Sequence, residues 1–248
     1  MAAPALSGVR EARASLTLPA VIAAAWVLSI VAELTGTAIL LHHHTLIENG
    51  PPLWIGVPFF LVGWQVMVAA MMLPPSLPTI RLVSGAIGSR TAFLGTFALV
   101  WTAFGLFAFG GDFVLHHIVD ATPWLAARPW LIEGGVVALA GAYQLSPFKQ
   151  RALDDCRHPT DLVAIGTTKG RGSAELGLHH GLACLGSSWA LMLLMFAEGF
   201  ANVGWMAALT GVMVYETTGR HGQLVAPLVG LALLGLSSAI LLSGMGAT

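Results

Sequence analysis

The sequence predicts an all-α fold: a polytopic transmembrane helical bundle of about seven spans, six being the alternative, with its N-terminus in the cytoplasm. Three observations predict it. Of 248 residues, 56% are hydrophobic and only 9% charged, where a soluble domain carries roughly 25% charged residues. The apolar residues gather into runs near the roughly 20 residues needed to cross a hydrocarbon core. Lysine and arginine are segregated to one side of those runs.

The runs are 18–41, 54–73, 92–111, 129–148, 178–196, 200–215 and 224–243. The first follows a polar head with Arg10 and Arg13, and it outlasts the roughly 7–15 residues of a signal-peptide core, so it is expected to be a retained helix. The second closes on Pro74, Pro75 and Pro78, which are expected to stop it. Between the fourth and fifth runs lies the largest polar segment, 149–177, expected as an inside loop, with KGRGS at 169–173 as flexible linker. The sixth run is short and follows the fifth across Glu198-Gly199, as a tilted span or a re-entrant piece. With seven spans, every Lys and Arg except Arg128 falls inside, as the positive-inside rule requires. The chain then divides into a cytoplasmic segment, 1–17, and one transmembrane domain, 18–248, whose first partner is the lipid bilayer.

Several function classes drop out. Net charge is −1 and no basic tail is present, so no nucleic-acid partner is expected. Cys156 and Cys184 are too few for a disulfide framework. The last run holds no lysine for a retinal Schiff base, and no phosphate-cradling glycine loop occurs. Gly186-Ser187-Ser188 offers a serine, but histidines on other helices only flank the membrane, so no catalytic residue is assigned.

The fifth run carries His180, Cys184, Ser188 and Met192 at intervals of four, on one slowly drifting helix face. Thiol, thioether and imidazole together suit Cu(I), or zinc if more thiolates join. Alternating spans also bring Met71, Met72, Tyr143, Gln144, Cys156 and His158 to the same inner end. Taken singly, each of these residues is ordinary packing. Taken together, they suggest an inner-side soft-metal site.

A second candidate cluster faces outward: His42, His43 and His44 after the first run, and His116, His117 and Asp112 after the third. Imidazole with carboxylate suits Zn, Cu(II) or Ni, although a polar interfacial loop has the same composition. Glu33 and Glu133 fall within or near apolar runs, where a carboxylate is costly without a partner. They are candidates for a cation or proton path, or for structural hydrogen bonds.

The motifs AMMLPPSLP, GAYQLSPFKQRALDDCRHP, HHGLACLGSSWALM and NVGWMAAL, with Glu216 ending the sixth run, resemble a bacterial domain-of-unknown-function family described as predicted metal-binding integral membrane proteins. The likeness covers about 54–216. It implies a multi-pass protein of the bacterial inner membrane that binds metal. By position it implicates Met71, Met72, Tyr143, Gln144, Lys149, Cys156, Arg157, His180, Cys184, Met192, Asn202, Met206 and Glu216. This chain departs from the family pattern where cysteines are expected: it has Ala152, Ser187 and Ser188. It also has Ala201 in place of a methionine and Thr217 in place of a lysine.

The expected function is handling of copper(I) in uptake, delivery or insertion, with a metal donor or acceptor protein as partner. His180 and Cys184 are the core ligands, with Cys156, Met71, Met72 and Met192 as further donors. Two other classes stay open: an accessory subunit of a membrane complex with no metal of its own, and a small-molecule transporter.

Overall fold

The computed structural model describes residues 3–37, 52–86, 89–160, 164, 172–198 and 202–246. His42, His43 and His44 lie outside the described residues. Nine helices are delimited and no strand occurs among the described residues: α1 (Ala3–Leu34), α2 (Leu53–Ala86), α3 (Arg90–Asp120), α4 (Pro123–Ala126), α5 (Pro129–Gln144), α6 (Pro147–Arg157), α7 (Ser173–Glu198), α8 (Val203–Thr218) and α9 (Gly222–Gly246). The seven apolar runs correspond to α1, α2, α3, α5, α7, α8 and α9. Five of these helices, α1, α2, α3, α7 and α9, are long and apolar enough to cross a membrane. Helices α5 and α8 are shorter, with 16 residues each. Large apolar side chains such as Leu28, Phe59, Phe107, Leu228 and Leu242 are exposed, a surface suited to lipid rather than water.

Helix α1 begins at Ala3, inside the segment 1–17 expected to precede it, and α3 runs on past 111 to Asp120, so that Asp112, His116 and His117 lie on it rather than after it. Three further boundaries differ from the sequence expectation. Helix α1 ends at Leu34 instead of running to 41, because Gly36 adopts φ 70° and its N–H turns back to the Glu33 carbonyl at 3.1 Å. A glycine in the left-handed region is a common way to end a helix. The fourth run does not continue to 148. It breaks after Gln144, where the Ser146 side chain accepts from the Lys149 N–H at 3.1 Å and Pro147 opens α6. Serine at the cap and proline in the first turn make a strong start signal.

The third difference is in α2, which does not stop at its prolines. It passes through Pro74, Pro75 and Pro78 to Ala86. Pro74 has no N–H to give the Ala70 carbonyl, one turn earlier. The indole of Trp26 on α1 donates to that carbonyl instead, at 3.1 Å. Neighbouring side chains can rescue a proline-bearing helix in this way where water is absent.

Helix α7 is the hub, packing against α2, α3, α5, α6 and α8. Its apolar stretch is 61% buried, against 11% for that of α1. Helices α2 and α7 run antiparallel: Phe60, early in α2, meets Phe196, late in α7, with ring centroids 5.8 Å apart. Helices α5 and α9 pack closely where Gly141 faces Gly230. A Cβ on either glycine would come within 2.9 Å of the other's carbonyl oxygen.

Candidate functional site: a sulfur-lined cavity

The C-terminal half of α2, the end of α6, the N-terminal half of α7 and the end of α8 converge on one small cavity. Its lining comprises Met72, Pro75 and Ser76 from α2, Cys156 from α6, and His180, Cys184, Ser187 and Ser188 from α7. Met213, Glu216 and Thr217 complete it from α8. The volume is about 10 Å³, near the minimum for a single water-sized occupant.

The chemistry of its walls is soft. Cys184 Sγ lies 4.0 Å from Met72 Sδ, and Ser188 Oγ lies 3.5 Å from the same sulfur. Cys156 Sγ lies 3.8 Å from Ser187 Oγ. The hydroxyls of Ser187 and Ser188 both donate back to the Cys184 carbonyl, at 2.9 and 2.6 Å. His180 is 3% exposed and stacks on Phe97 with its ring at 5.9 Å. Its Nε2 has no hydrogen-bond partner. A buried polar atom without a partner calls for an explanation, and a ligand is one.

A polar clamp adjoins the cavity through Glu216 and Ser187. Lys149 and Glu216 are almost fully buried and joined Nζ to Oε2 at 2.6 Å. Gln144 Nε2 donates to the other oxygen of Glu216 at 2.8 Å. The Lys149 ammonium also donates to the Ser187 carbonyl. Arg157 donates to the carbonyls of Glu216 at 2.5 Å and Gly219 at 2.8 Å, serving the C-terminal end of α8. Tyr143 donates its hydroxyl to the Gly186 carbonyl at 2.6 Å. At Cys156, burial pushes the thiol up, with nearby Cys184 adding to the rise.

Four of the six residues expected as primary donors therefore share the cavity: His180, Cys184, Cys156 and Met72. Met71 and Met192 are fully buried but do not line it. Asn202 sits at the far end of α8, where its side chain caps the helix by accepting from the Trp205 N–H at 3.0 Å. Met206 is buried on the same helix. No group of three or more His, Cys, Asp or Glu residues able to hold a metal occurs among the described residues. A site here therefore depends on methionine sulfur.

Sequence reasoning missed Ser76, Pro75, Met213 and Thr217 as lining residues, and it treated 149–177 as a loop. Lys149, Leu153 and Cys156 are all buried on α6, and their spacing of four and three is a helix face. That spacing was the available signal. Ser187 and Ser188, where cysteines were expected, do line the cavity, so hydroxyls stand there in place of thiols.

The outward cluster is divided. His117 is exposed, with Nδ1 2.9 Å from the Phe113 carbonyl oxygen. His116 and Asp112, paired at 3.5 Å, line a larger cavity of about 500 Å³ together with Asp120, Glu133 and Trp189. Glu33 lies apart from it, at the end of α1, accepting from the Val203 N–H at 3.3 Å.

No curated protein and no solved structure matches the chain. One family model does, over residues 61–240, a span that contains the whole sulfur-lined cavity and its clamp. The chain belongs to the family that this model describes, PpoB2: Copper chaperone.

Proposed function

We propose that the chain spans the bacterial inner membrane as one multi-pass helical domain and carries Cu(I) in the cavity between α2, α6, α7 and α8. In this reading Cys184 supplies a thiolate, His180 its unpartnered Nε2, and Met72 a thioether. The observation that carries the reading is the meeting of those three donor types around one ion-sized space. With metal–sulfur bonds of roughly 2.3 Å, two sulfurs on one ion lie within about 4.6 Å of each other, and Cys184 and Met72 already do.

Charge balance favours a monovalent ion. Lys149 and Glu216 cancel each other. In this reading Cys156 is not a ligand and stays a thiol, the form that burial favours. The ion therefore replaces one proton, that of Cys184, and the buried charge is unchanged. Soft donors also prefer Cu(I). The clamp fixes the cavity: Lys149 and Tyr143 hold the carbonyls of Ser187 and Gly186, and so the turn of α7 that follows Cys184. Cargo then passes to an acceptor protein by ligand exchange.

Elemental analysis after Cu(I) loading under reducing conditions tests this. The expectation is about one copper per chain, lost in a folded His180→Ala/Cys184→Ala variant. Equal copper in both proteins would place the metal elsewhere. The 500 Å³ cavity favours a second reading, small-molecule transport, because Glu133 lines it among mostly apolar walls. That reading predicts binding of an organic ligand that is insensitive to Cys184.

A further inference from the structure

Methionine use in this chain is uneven. Seven of its nine methionines are buried to 2% exposure or less, and all seven lie on α2, α7 and α8. Those three helices pack against one another. Two of the seven, Met72 and Met213, line the cavity that also holds Cys184 and His180. The other five lie deeper in the bundle.

Helix directions fix where they lie. The cavity takes the late part of α2, the early part of α7 and the late part of α8, while Phe60 on α2 meets Phe196 on α7 at the opposite end. Along α7, Met192 and Met195 stand about 12 and 16 Å beyond Cys184 toward that end, at 1.5 Å of rise per residue. Along α2, Met71 and Met67 stand about 1.5 and 7.5 Å beyond Met72 in the same sense. On α8, Met206 stands about 10 Å beyond Met213. Thioethers from three helices thus occupy successive levels over roughly half of a 30 Å hydrocarbon thickness. A cluster of Phe60, Trp64, Phe109 and Phe196 closes the far end.

Resting on the copper reading of the cavity, we propose that these methionines form a relay that moves Cu(I) through the bundle between the cavity and the Phe60–Phe196 end. A thioether binds Cu(I) as a neutral donor, so no proton has to be carried into the apolar core. The first step exchanges ligands: the bonds from copper to Cys184 sulfur and to His180 Nε2 break, bonds to methionine sulfurs form, and the thiolate regains one proton from the cavity side. Copper stays monovalent throughout. Later steps exchange one thioether for another, which the flexible methionine side chain permits. The copper gradient sets the net direction.

Two measurements on the full-length chain test this together. One is copper content in detergent after Cu(I) loading. The other is Cu(I) entry into proteoliposomes holding trapped bathocuproine disulfonate. Wild type is expected to bind copper and to pass it. Met192→Leu/Met195→Leu is expected to keep its bound copper but to pass it roughly tenfold more slowly or worse, since leucine matches the volume without the donor. Single Met206→Leu carries the same expectation should the double variant fail to fold. Unchanged flux in a folded variant would overturn the relay, as would a wild type that binds copper but passes none; both outcomes leave the cavity site standing. A wild type that binds no copper would overturn the site and the relay together.

Discussion

In the proposed copper site Cys184 needs to lose its proton before its sulfur can bind, because the thiolate is the ligand. Cys156, which is not a ligand in that site, adds no second proton to the exchange. Copper affinity should therefore rise about tenfold for each unit of pH while the Cys184 thiol is the resting form, and fall correspondingly on acidification. Competition against a Cu(I) chelator between pH 6 and 8 reads the slope; a flat profile would remove the thiolate from the site. The Lys149–Glu216 pair makes a second residue-level prediction. Removing one member leaves the other charged and buried, so Lys149→Met should cost about 3–5 kcal/mol in denaturant unfolding. Lys149→Met/Glu216→Gln should recover much of that loss, and an additive double variant would contradict the pairing. That His180, Cys184 and Met72 gather at one end of the bundle was legible from spacing and from the alternation of spans. The burial of Lys149 was not, because its partners Glu216 and Ser187 lie far along the chain and only packing joins them.

At the scale of the element, apolar runs located seven of the nine helices among the described residues, the five long ones included, since hydrophobic length depends on local composition alone. Their ends were less legible. The prolines of α2 look like a stop by rules learned in water, but Trp26 supplies the donor that Pro74 lacks. Trp26→Phe keeps the ring and removes that donor, leaving the Ala70 carbonyl unserved. It should cost about 1–3 kcal/mol and speed amide exchange in α2 around residues 70–75. Unchanged exchange there would mean that α2 carries its prolines without help. Helix α6 was hidden for a different reason: it is short and polar overall, so length and hydropathy passed over it. Its buried face, Lys149–Leu153–Cys156, appears only when a helical period is applied to a segment taken for a loop.

Across the whole molecule, α7 presents its donor face to α2 and α8 while α6 closes the cavity from the side. Four segments that are distant in sequence thus line one small cavity. The sequence could assemble this convergence only coarsely, by counting spans and assigning each residue to an end of the bundle. It could not separate Met72, which lines the cavity, from Met71, one residue away, which does not. X-ray absorption at the copper edge of the loaded, purified protein tests the central claim most directly. A Cu(I) edge with two sulfur scatterers and one imidazole nitrogen, the sulfurs at roughly 2.3 Å, is the result expected for Cys184, Met72 and His180. Copper ligated only by nitrogen and oxygen would contradict the sulfur-lined cavity as the place where this protein carries its cargo.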